Sequence, residues 1–169
     1  SKPEQMQPRP TDEIWNYQQI GLGFNYRMTD LQAALGLSQL TRLVEFVQRR
    51  HTIAQRYNLA FADLPIITPW QHPDAHSSYH LYPIRVCKND AGKTQKQVYD
   101  ALWNAEISVN LHYIPVYRQP YYEAMGFMAG YCPQAELYHR EAISIPMYPA
   151  LTHAQQDEVI SALKRSLIL

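Results

Sequence analysis

Thr29-Asp30-Leu31-Gln32 opens the first regular element of this 169-residue chain. A threonine followed three residues later by glutamine is a capping box, in which the two side chains satisfy unpaired backbone amides at the start of a helix. Apolar residues then recur at helical spacing, which predicts one long helix, or two joined near Thr41, ending before Leu64-Pro65. The positions of this apolar stripe are Leu31, Ala34, Leu35, Leu40, Leu43, Val44, Val47, Ile53, Ala54, Tyr57 and Phe61.

The same pair of residue types recurs at Thr94 with Gln97 and at Thr152 with Gln155, so two more helices are expected to begin there. Each is followed by apolar residues at helical spacing. These residues are Val98, Leu102 and Trp103 in the first helix, and Val159, Ile160 and Leu163 in the second.

Three strands are predicted between these helices, over 78–86, 107–113 and 142–147. Pro83 interrupts the first, which favours an edge position or a bulge. The second alternates along its whole length, with Ile107, Val109, Leu111 and Tyr113 on one face and Ser108, Asn110 and His112 on the other. Helices that alternate with short strands predict an α/β fold with a small, mostly antiparallel sheet packed with helices.

Charge and cysteine content exclude several classes of function. Lys and Arg number 15 and Asp and Glu number 15, so the formal net charge is zero, and we expect neither a nucleic-acid partner nor binding to an anionic membrane. No apolar run approaches the ~20 residues of a membrane span. Cys87 and Cys132 are far apart and outside any metal-binding pattern, which favours a reducing compartment and a cytoplasmic protein.

Residues with the spacing of a metal site or a catalytic group are few. His72, His76 and His80 recur every four residues, but Pro73 disfavours the helix that would align them, so we predict no metal site. No Ser-His-Asp order, acidic pair or nucleophilic cysteine stands out. The residues predict groups that contact a ligand without a catalytic apparatus of their own.

Two segments carry such groups. Asn25 and Arg27, two residues apart in an extended stretch, offer an amide and a guanidinium to an anion such as a phosphate. His112 and Tyr113 end the alternating strand and precede a loop rich in Tyr and Pro. This loop is either a strand end with aromatic packing or a surface that presents His, Tyr and Arg to a polar ligand.

At three places the sequence resembles the DegT/DnrJ/EryC1/StrS family of sugar aminotransferases. These enzymes use pyridoxal phosphate (PLP) on the aminotransferase fold of type I. The likeness covers essentially the whole chain. The matching motifs are GFNYRMTDLQAALGLSQL at 23–40, NLHYIPVY followed by QPYY at 110–122, and CPQAE at 132–136 with SIPMYP at 144–149.

The resemblance implies that the chain is the C-terminal small domain of this fold, at 29–169 and including the long linking helix, with 1–28 an extended arm left over from a missing large domain. It implies that the Schiff-base lysine lies upstream. The chain then has no catalytic residue of its own and is expected to be inactive alone, because none of its lysines lies in the family's lysine motif. These are Lys2, Lys88, Lys93, Lys96 and Lys164.

The resemblance also assigns roles within an active site shared across a homodimer. Asn25 would reach the PLP phosphate of the other subunit, and Arg27 the phosphates of a nucleotide sugar. The sugar itself would be contacted by Asn110, His112, Tyr113 and Ile114. The implied reaction, as on the route to pseudaminic acid, transfers an amino group from glutamate to C4 of a UDP-linked 4-keto-6-deoxy-N-acetylhexosamine.

Three alternatives remain open. A sister enzyme could aminate another nucleotide sugar. A PLP-dependent sugar dehydratase carries histidine in place of the lysine, and this segment would look the same. A stand-alone, non-enzymatic module could bind a partner through its Tyr and Pro surface, although an isolated domain seldom leaves such an aromatic patch exposed.

Overall fold

The computed structural model describes residues 26–87, 91–123 and 125–168. Two compact units divide the chain, Ser1–Thr41 and Arg42–Leu169, and each is described by itself. The predicted boundary between an arm at 1–28 and a small domain at 29–169 stays a prediction, since nearly all of the arm lies outside the described residues. No helix in the described ranges is long and apolar enough to cross a lipid bilayer.

The first unit contains helix α1, Asp30–Leu40. Its predicted capping box is confirmed: the Thr29 hydroxyl accepts from the Gln32 amide at 3.3 Å, and the Gln32 side-chain oxygen accepts from the Thr29 amide at 2.9 Å. None of the residues of α1 is buried. In the described part of the chain, the apolar stripe of α1 is therefore not covered.

The second unit begins with α2, Leu43–Ala60, so the sequence contains two helices that meet near Thr41, as one of the two predicted alternatives had it. Ile53, Ala54 and Tyr57 form the buried face of α2. The Tyr57 ring stacks on Phe61 at a centroid distance of 5.3 Å, and its hydroxyl donates to the Pro146 carbonyl at 3.0 Å. Burial holds the pKa of the Tyr57 hydroxyl far above its usual range, so the hydroxyl stays protonated and keeps donating.

The sheet consists of two antiparallel strands, β1 at Tyr82–Arg85 and β2 at Ala142–Ile145. One isolated bridge extends it on each side, Ile67 with Arg85 and Asn110 with Ser144. The backbone N–H and C=O of Arg85 bond to Ile67, on the side of β1 that faces away from β2. Pro83 lies two residues before Arg85, so its backbone faces the same side, and the N–H that proline lacks is not needed for pairing with β2. Proline thus lies where an edge strand tolerates it, as the sequence predicted.

The strand predicted at 107–113 is wrong except for the single bridge at Asn110. Continuing the register would pair Ser108 with Pro146 and His112 with Ala142. Pro146 has no N–H, and its carbonyl accepts from Tyr57. At Ala142, the N–H donates to the Tyr138 carbonyl and the C=O accepts from the Gln95 side chain at 2.7 Å. The 107–113 segment therefore cannot form regular backbone hydrogen bonds with Ala142 or Pro146, the positions on either side of the bridge.

The remaining helices are α3 at Gln95–Asn104, a 3₁₀ turn at Val116–Arg118, the short α4 at Pro120–Glu123, α5 at Pro133–Glu141 and α6 at His153–Ile168. The two further capping boxes, at Thr94 and Thr152, are both present. Helix α3 packs on α6 and β2, α2 packs on α6, and α5 packs on β1. Of the predicted apolar positions on α3, Val98 and Leu102 are buried, whereas Trp103 is largely exposed.

Candidate substrate-contacting edge of the sheet

Four of the predicted site residues lie together in the 110–114 segment, at the outer edge of β2. Two backbone hydrogen bonds hold its first residue there. The Asn110 N–H donates to the Ser144 carbonyl at 3.1 Å, and the Ser144 N–H donates to the Asn110 carbonyl at 2.8 Å. The segment is therefore anchored to the sheet at one end and leaves it after a single bridge.

His112 is the most firmly held side chain of the 110–114 segment. Its Nδ1 lies 2.8 Å from the Ser144 hydroxyl oxygen. Its imidazole meets the Tyr113 ring edge-on, with the centroids 4.6 Å apart. His112 is half-buried and Ser144 is buried, so the ring is fixed from the protein side while part of it faces solvent.

The other members of the segment are accessible. The Asn110 side-chain oxygen accepts from the backbone amide of Leu111 at 2.8 Å, which leaves the NH₂ group to donate to a ligand. Tyr113 is 71% exposed, although the alternating pattern had placed it on the apolar face with Val109. Tyr113 comes after the point where the backbone leaves β2, at the single bridge of Asn110, so the predicted alternation does not hold there.

Beyond this segment the chain lines a cleft of about 340 Å³. Glu136, on the first turn of α5, is one of its lining residues and joins three segments: its Oε1 accepts from the Tyr117 hydroxyl at 2.6 Å and from the Gly130 amide at 2.7 Å. Guanidinium nitrogens of Arg118 and Arg140 lie 3.9 Å from its oxygens. The cleft is lined by Ile114, Pro115, Arg118, Glu136, His139 and Arg140.

These contacts shift the pKa values of the Glu136 carboxyl and the Tyr117 hydroxyl. The hydroxyl of Tyr117, followed by the amide of Gly130 and the two guanidiniums, lowers the pKa of the Glu136 carboxyl. Burial raises the pKa of the Tyr117 hydroxyl, and its bond to Glu136 raises it further. The pair is therefore a protonated phenol that donates to a carboxylate, with both groups used in holding the loop.

Arg27 and Asn25 belong to the other unit. Arg27 is exposed just before α1, where a guanidinium can meet an anion. Asn25 lies outside the described residues. The structure thus brings Asn110, His112, Tyr113 and Ile114 together and places Arg27 in a separate unit.

A larger cleft, of about 800 Å³, lies elsewhere, along the first half of α2. Two of its arginines, Arg49 and Arg50, hydrogen-bond to backbone carbonyls of the protein. The Arg49 guanidinium donates to the carbonyls of Pro149 and Leu151. One nitrogen of Arg50 donates to three carbonyls, those of Tyr79, His80 and Met147.

The described residues contain no group of three or more His, Cys, Asp or Glu that could hold a metal ion. The histidines at 72, 76 and 80 have other contacts. The His76 ring stacks on His51 with centroids 4.5 Å apart, His72 lies 3.7 Å from an Asp74 oxygen, and His80 gives its carbonyl to Arg50.

The sequence pattern of the DegT/DnrJ/EryC1/StrS aminotransferase family matches residues 5–164. The chain belongs to this family. The predicted resemblance to the family is confirmed.

SpsC, a spore coat polysaccharide biosynthesis protein of Bacillus subtilis (strain 168), is 39% identical over 153 residues, which are 89% of this chain and 39% of SpsC. The apo form of Spr1654 from Streptococcus pneumoniae, assigned as a sugar aminotransferase, is 29% identical with a TM-score of 0.80, over 94% of this chain and 40% of that one. Helicobacter pylori PseC, an aminotransferase involved in the biosynthesis of pseudoaminic acid, is 27% identical with a TM-score of 0.77, over 98% of this chain and 44% of PseC.

These likenesses confirm the predicted fold class, a small α/β portion of an aminotransferase with a short antiparallel sheet. The chain spans about two fifths of the length of the family members it matches.

Sequence reasoning missed two features near the 110–114 segment. Glu136 and Tyr117 lie in two different family motifs, and no local pattern indicates that they bond. Ser144 begins the motif SIPMYP, but the sequence offers no reason to connect it to His112, 32 residues away. In both cases the contact depends on how distant segments pack.

Proposed function

We propose that this chain is part of a PLP-dependent aminotransferase that moves an amino group from glutamate to C4 of a UDP-linked 4-keto-6-deoxy-N-acetylhexosamine. The observation that carries the proposal is the family match over residues 5–164. The structural likeness to PseC, over 98% of this chain, supports the narrower choice of sugar and a place on a route to pseudaminic acid.

Solved forms of Spr1654 with PLP and with the aminated cofactor PMP support the choice of cofactor. Asn25, the residue predicted to bind the PLP phosphate, lies outside the described residues. Arg27 is exposed at the predicted anion site, whereas the described lysines have other surroundings: Lys96 pairs with Asp100, Lys93 lines a cleft with α3 and α6, and Lys164 is exposed on α6. When bound, PLP supplies the carbanion stabilisation that amino transfer requires.

This chain's own residues would bind and orient the substrates. Asn25 would donate its amide to the PLP phosphate, and Arg27 would meet the phosphates of the nucleotide sugar. The 110–114 segment would contact the sugar through two donors, the Asn110 NH₂ and the His112 ring. The exposed ring of Tyr113 and the side chain of Ile114 would exclude water from one side of it.

We further propose that the active site is shared across a homodimer and that the protein acts in the cytoplasm. In such a shared site, Asn25 would reach the PLP phosphate of the other subunit. Cys87 and Cys132 are far apart in the sequence and outside any metal-binding pattern, which favours a reducing compartment.

The test uses the intact enzyme, the UDP-linked keto-sugar and glutamate, and measures the 2-oxoglutarate released. Asn25→Ala should weaken PLP retention in dialysis about tenfold, because one charge-assisted contact with the phosphate is lost. Asn104→Ala, at the exposed end of α3, is the matched control and should retain PLP as the wild type does.

Absence of 2-oxoglutarate formation in the wild type would overturn the reaction, and unchanged PLP retention in Asn25→Ala would remove Asn25 from the site. The 169-residue chain alone should not transaminate. Treatment with PLP and borohydride should attach cofactor to no single lysine of that chain, and one modified lysine in the peptide map would contradict this.

A further inference from the structure

Ser144 is a buried polar residue to which neither the sequence nor the proposed function assigns a role. Its side chain is on β2, and the residue is only 6% exposed. Both of its backbone groups bond to Asn110, and its hydroxyl oxygen lies 2.8 Å from the Nδ1 of His112, two residues further along the same segment. One residue of the sheet thus fixes both the backbone and the histidine ring of the 110–114 segment.

The direction of this hydrogen bond follows from counting protons. A buried hydroxyl needs an acceptor for its single proton. Among the described residues, the acceptor in hydrogen-bonding contact with the Ser144 hydroxyl is the Nδ1 of His112. If Nδ1 instead carried the proton and donated, the hydroxyl proton would be buried without an acceptor, which is unfavourable. The serine therefore donates, and Nδ1 carries no proton.

We propose that Ser144 is a positioning residue that holds neutral His112 in the tautomer with its proton on Nε2. Because the two ring nitrogens have opposite roles in neutral imidazole, fixing Nδ1 as an acceptor makes Nε2 a donor. The edge-on contact with Tyr113 restrains the ring from another side. The proposal rests on the proposed function for the statement that His112 meets the sugar.

This tautomer defines what the segment can bind. The Nε2–H of His112 and the NH₂ of Asn110 are both donors. The Asn110 oxygen already accepts from the Leu111 amide. A ligand group placed against them must accept hydrogen bonds, as carbonyl, hydroxyl and phosphate oxygens do. The segment thus selects oxygen-rich ligands, such as the keto-sugar, over groups that can only donate.

The experiment is long-range proton–nitrogen NMR on the 169-residue chain with labelled histidine, at about pH 8.5, where an ordinary imidazole is neutral. The wild type should show the Nε2–H tautomer at His112, and Ser144→Ala a mixture of the two tautomers. Ser144→Thr keeps a hydroxyl and suits a strand, so it should restore the single tautomer. Ser166→Ala is the matched control, because Ser166 is equally buried but bonds to the Leu163 carbonyl.

A proton on Nδ1 of His112 in the wild type would overturn the proposal. This measurement does not depend on whether any variant folds. An unchanged tautomer in a folded Ser144→Ala also overturns it. In the intact enzyme, Ser144→Ala should raise the KM for the nucleotide sugar about fivefold, the effect of roughly one hydrogen bond, and leave the KM for glutamate unchanged. A shifted tautomer with an unchanged KM would refute the contact between His112 and the sugar, which is part of the proposed function. It would not refute the role of Ser144.

Discussion

Glu136 shows how a single carboxylate can organise a loop. It receives the Tyr117 hydroxyl and the Gly130 amide on one oxygen, and Arg118 and Arg140 lie at longer distance. Arg118 is also bonded to Glu123, at 2.7 Å. The cleft beside the 110–114 segment therefore depends on the charge of Glu136, and that charge depends on pH.

Replacing Tyr117 with phenylalanine should raise the pKa of Glu136 towards its usual value, because the strongest donor to the carboxylate is lost. Carbon NMR titration of the labelled glutamate carboxyls measures this. Tyr131→Phe, which alters the ring that packs 5.5 Å from Tyr117, is the matched control and should leave the titration unchanged. An equal shift in both variants would show that aromatic packing, not the hydroxyl, sets the protonation of Glu136.

The sign of the effect on stability follows from the direction of this shift. The pKa of Glu136 is lower in the folded chain than in the unfolded one, so its stabilising contribution is present above the usual carboxyl value of about 4.3. The contribution is lost as the pH falls through the folded value. The wild type and Glu136→Gln should therefore differ most in unfolding free energy near neutral pH and converge in acid.

At the scale of elements, α2 is held to the loops around it by arginine side chains. Arg49 and Arg50 together donate to five backbone carbonyls. Further along, Arg56 reaches Gln156 and Asp157 on α6. Burial lowers the pKa of Arg50, but a guanidinium remains charged and keeps donating. These arginines satisfy carbonyls of irregular loops that would otherwise lack donors.

Identical capping boxes should have different effects on stability in α3 and α1. Thr94→Ala removes the cap of a helix that buries Val98 and Leu102, so it should lower the unfolding free energy by about 1 kcal/mol. Thr29→Ala removes the cap of a helix with no buried residue, so it should reduce helix content in circular dichroism and leave the unfolding midpoint unchanged. An equal loss of midpoint in both variants would contradict the finding that α1 has no buried residue.

At the scale of the whole molecule, stability should come from the second unit. Its core joins the buried faces of α2, α3, α6 and the two strands, and Leu163 is fully buried in it. Leu163→Ala should lower the unfolding free energy by about 2–5 kcal/mol in urea titration, through lost burial and the cavity left behind. Leu59→Ala, at a position 81% exposed on α2, should change it by less than about 0.5 kcal/mol. A small effect of Leu163→Ala would contradict this core.

Features whose causes lie within a few residues can be predicted from the sequence. All three capping boxes form as predicted, because the groups they join are three residues apart. The break near Thr41 and the edge position of Pro83 each match one of two alternatives that the sequence left open. Membership of the family was visible in the same way, from motifs read along the chain.

Contacts between groups that are distant in the sequence depend on tertiary packing. The alternating pattern at 107–113 could not reveal that β2 has one free pairing position, since that position is limited by Pro146, Tyr57 and Gln95 from other elements. The contacts of Ser144 with His112 and of Glu136 with Tyr117 span 32 and 19 residues. Such pairs form because packing brings their segments together, and the packing depends on the whole core rather than on the residues that meet.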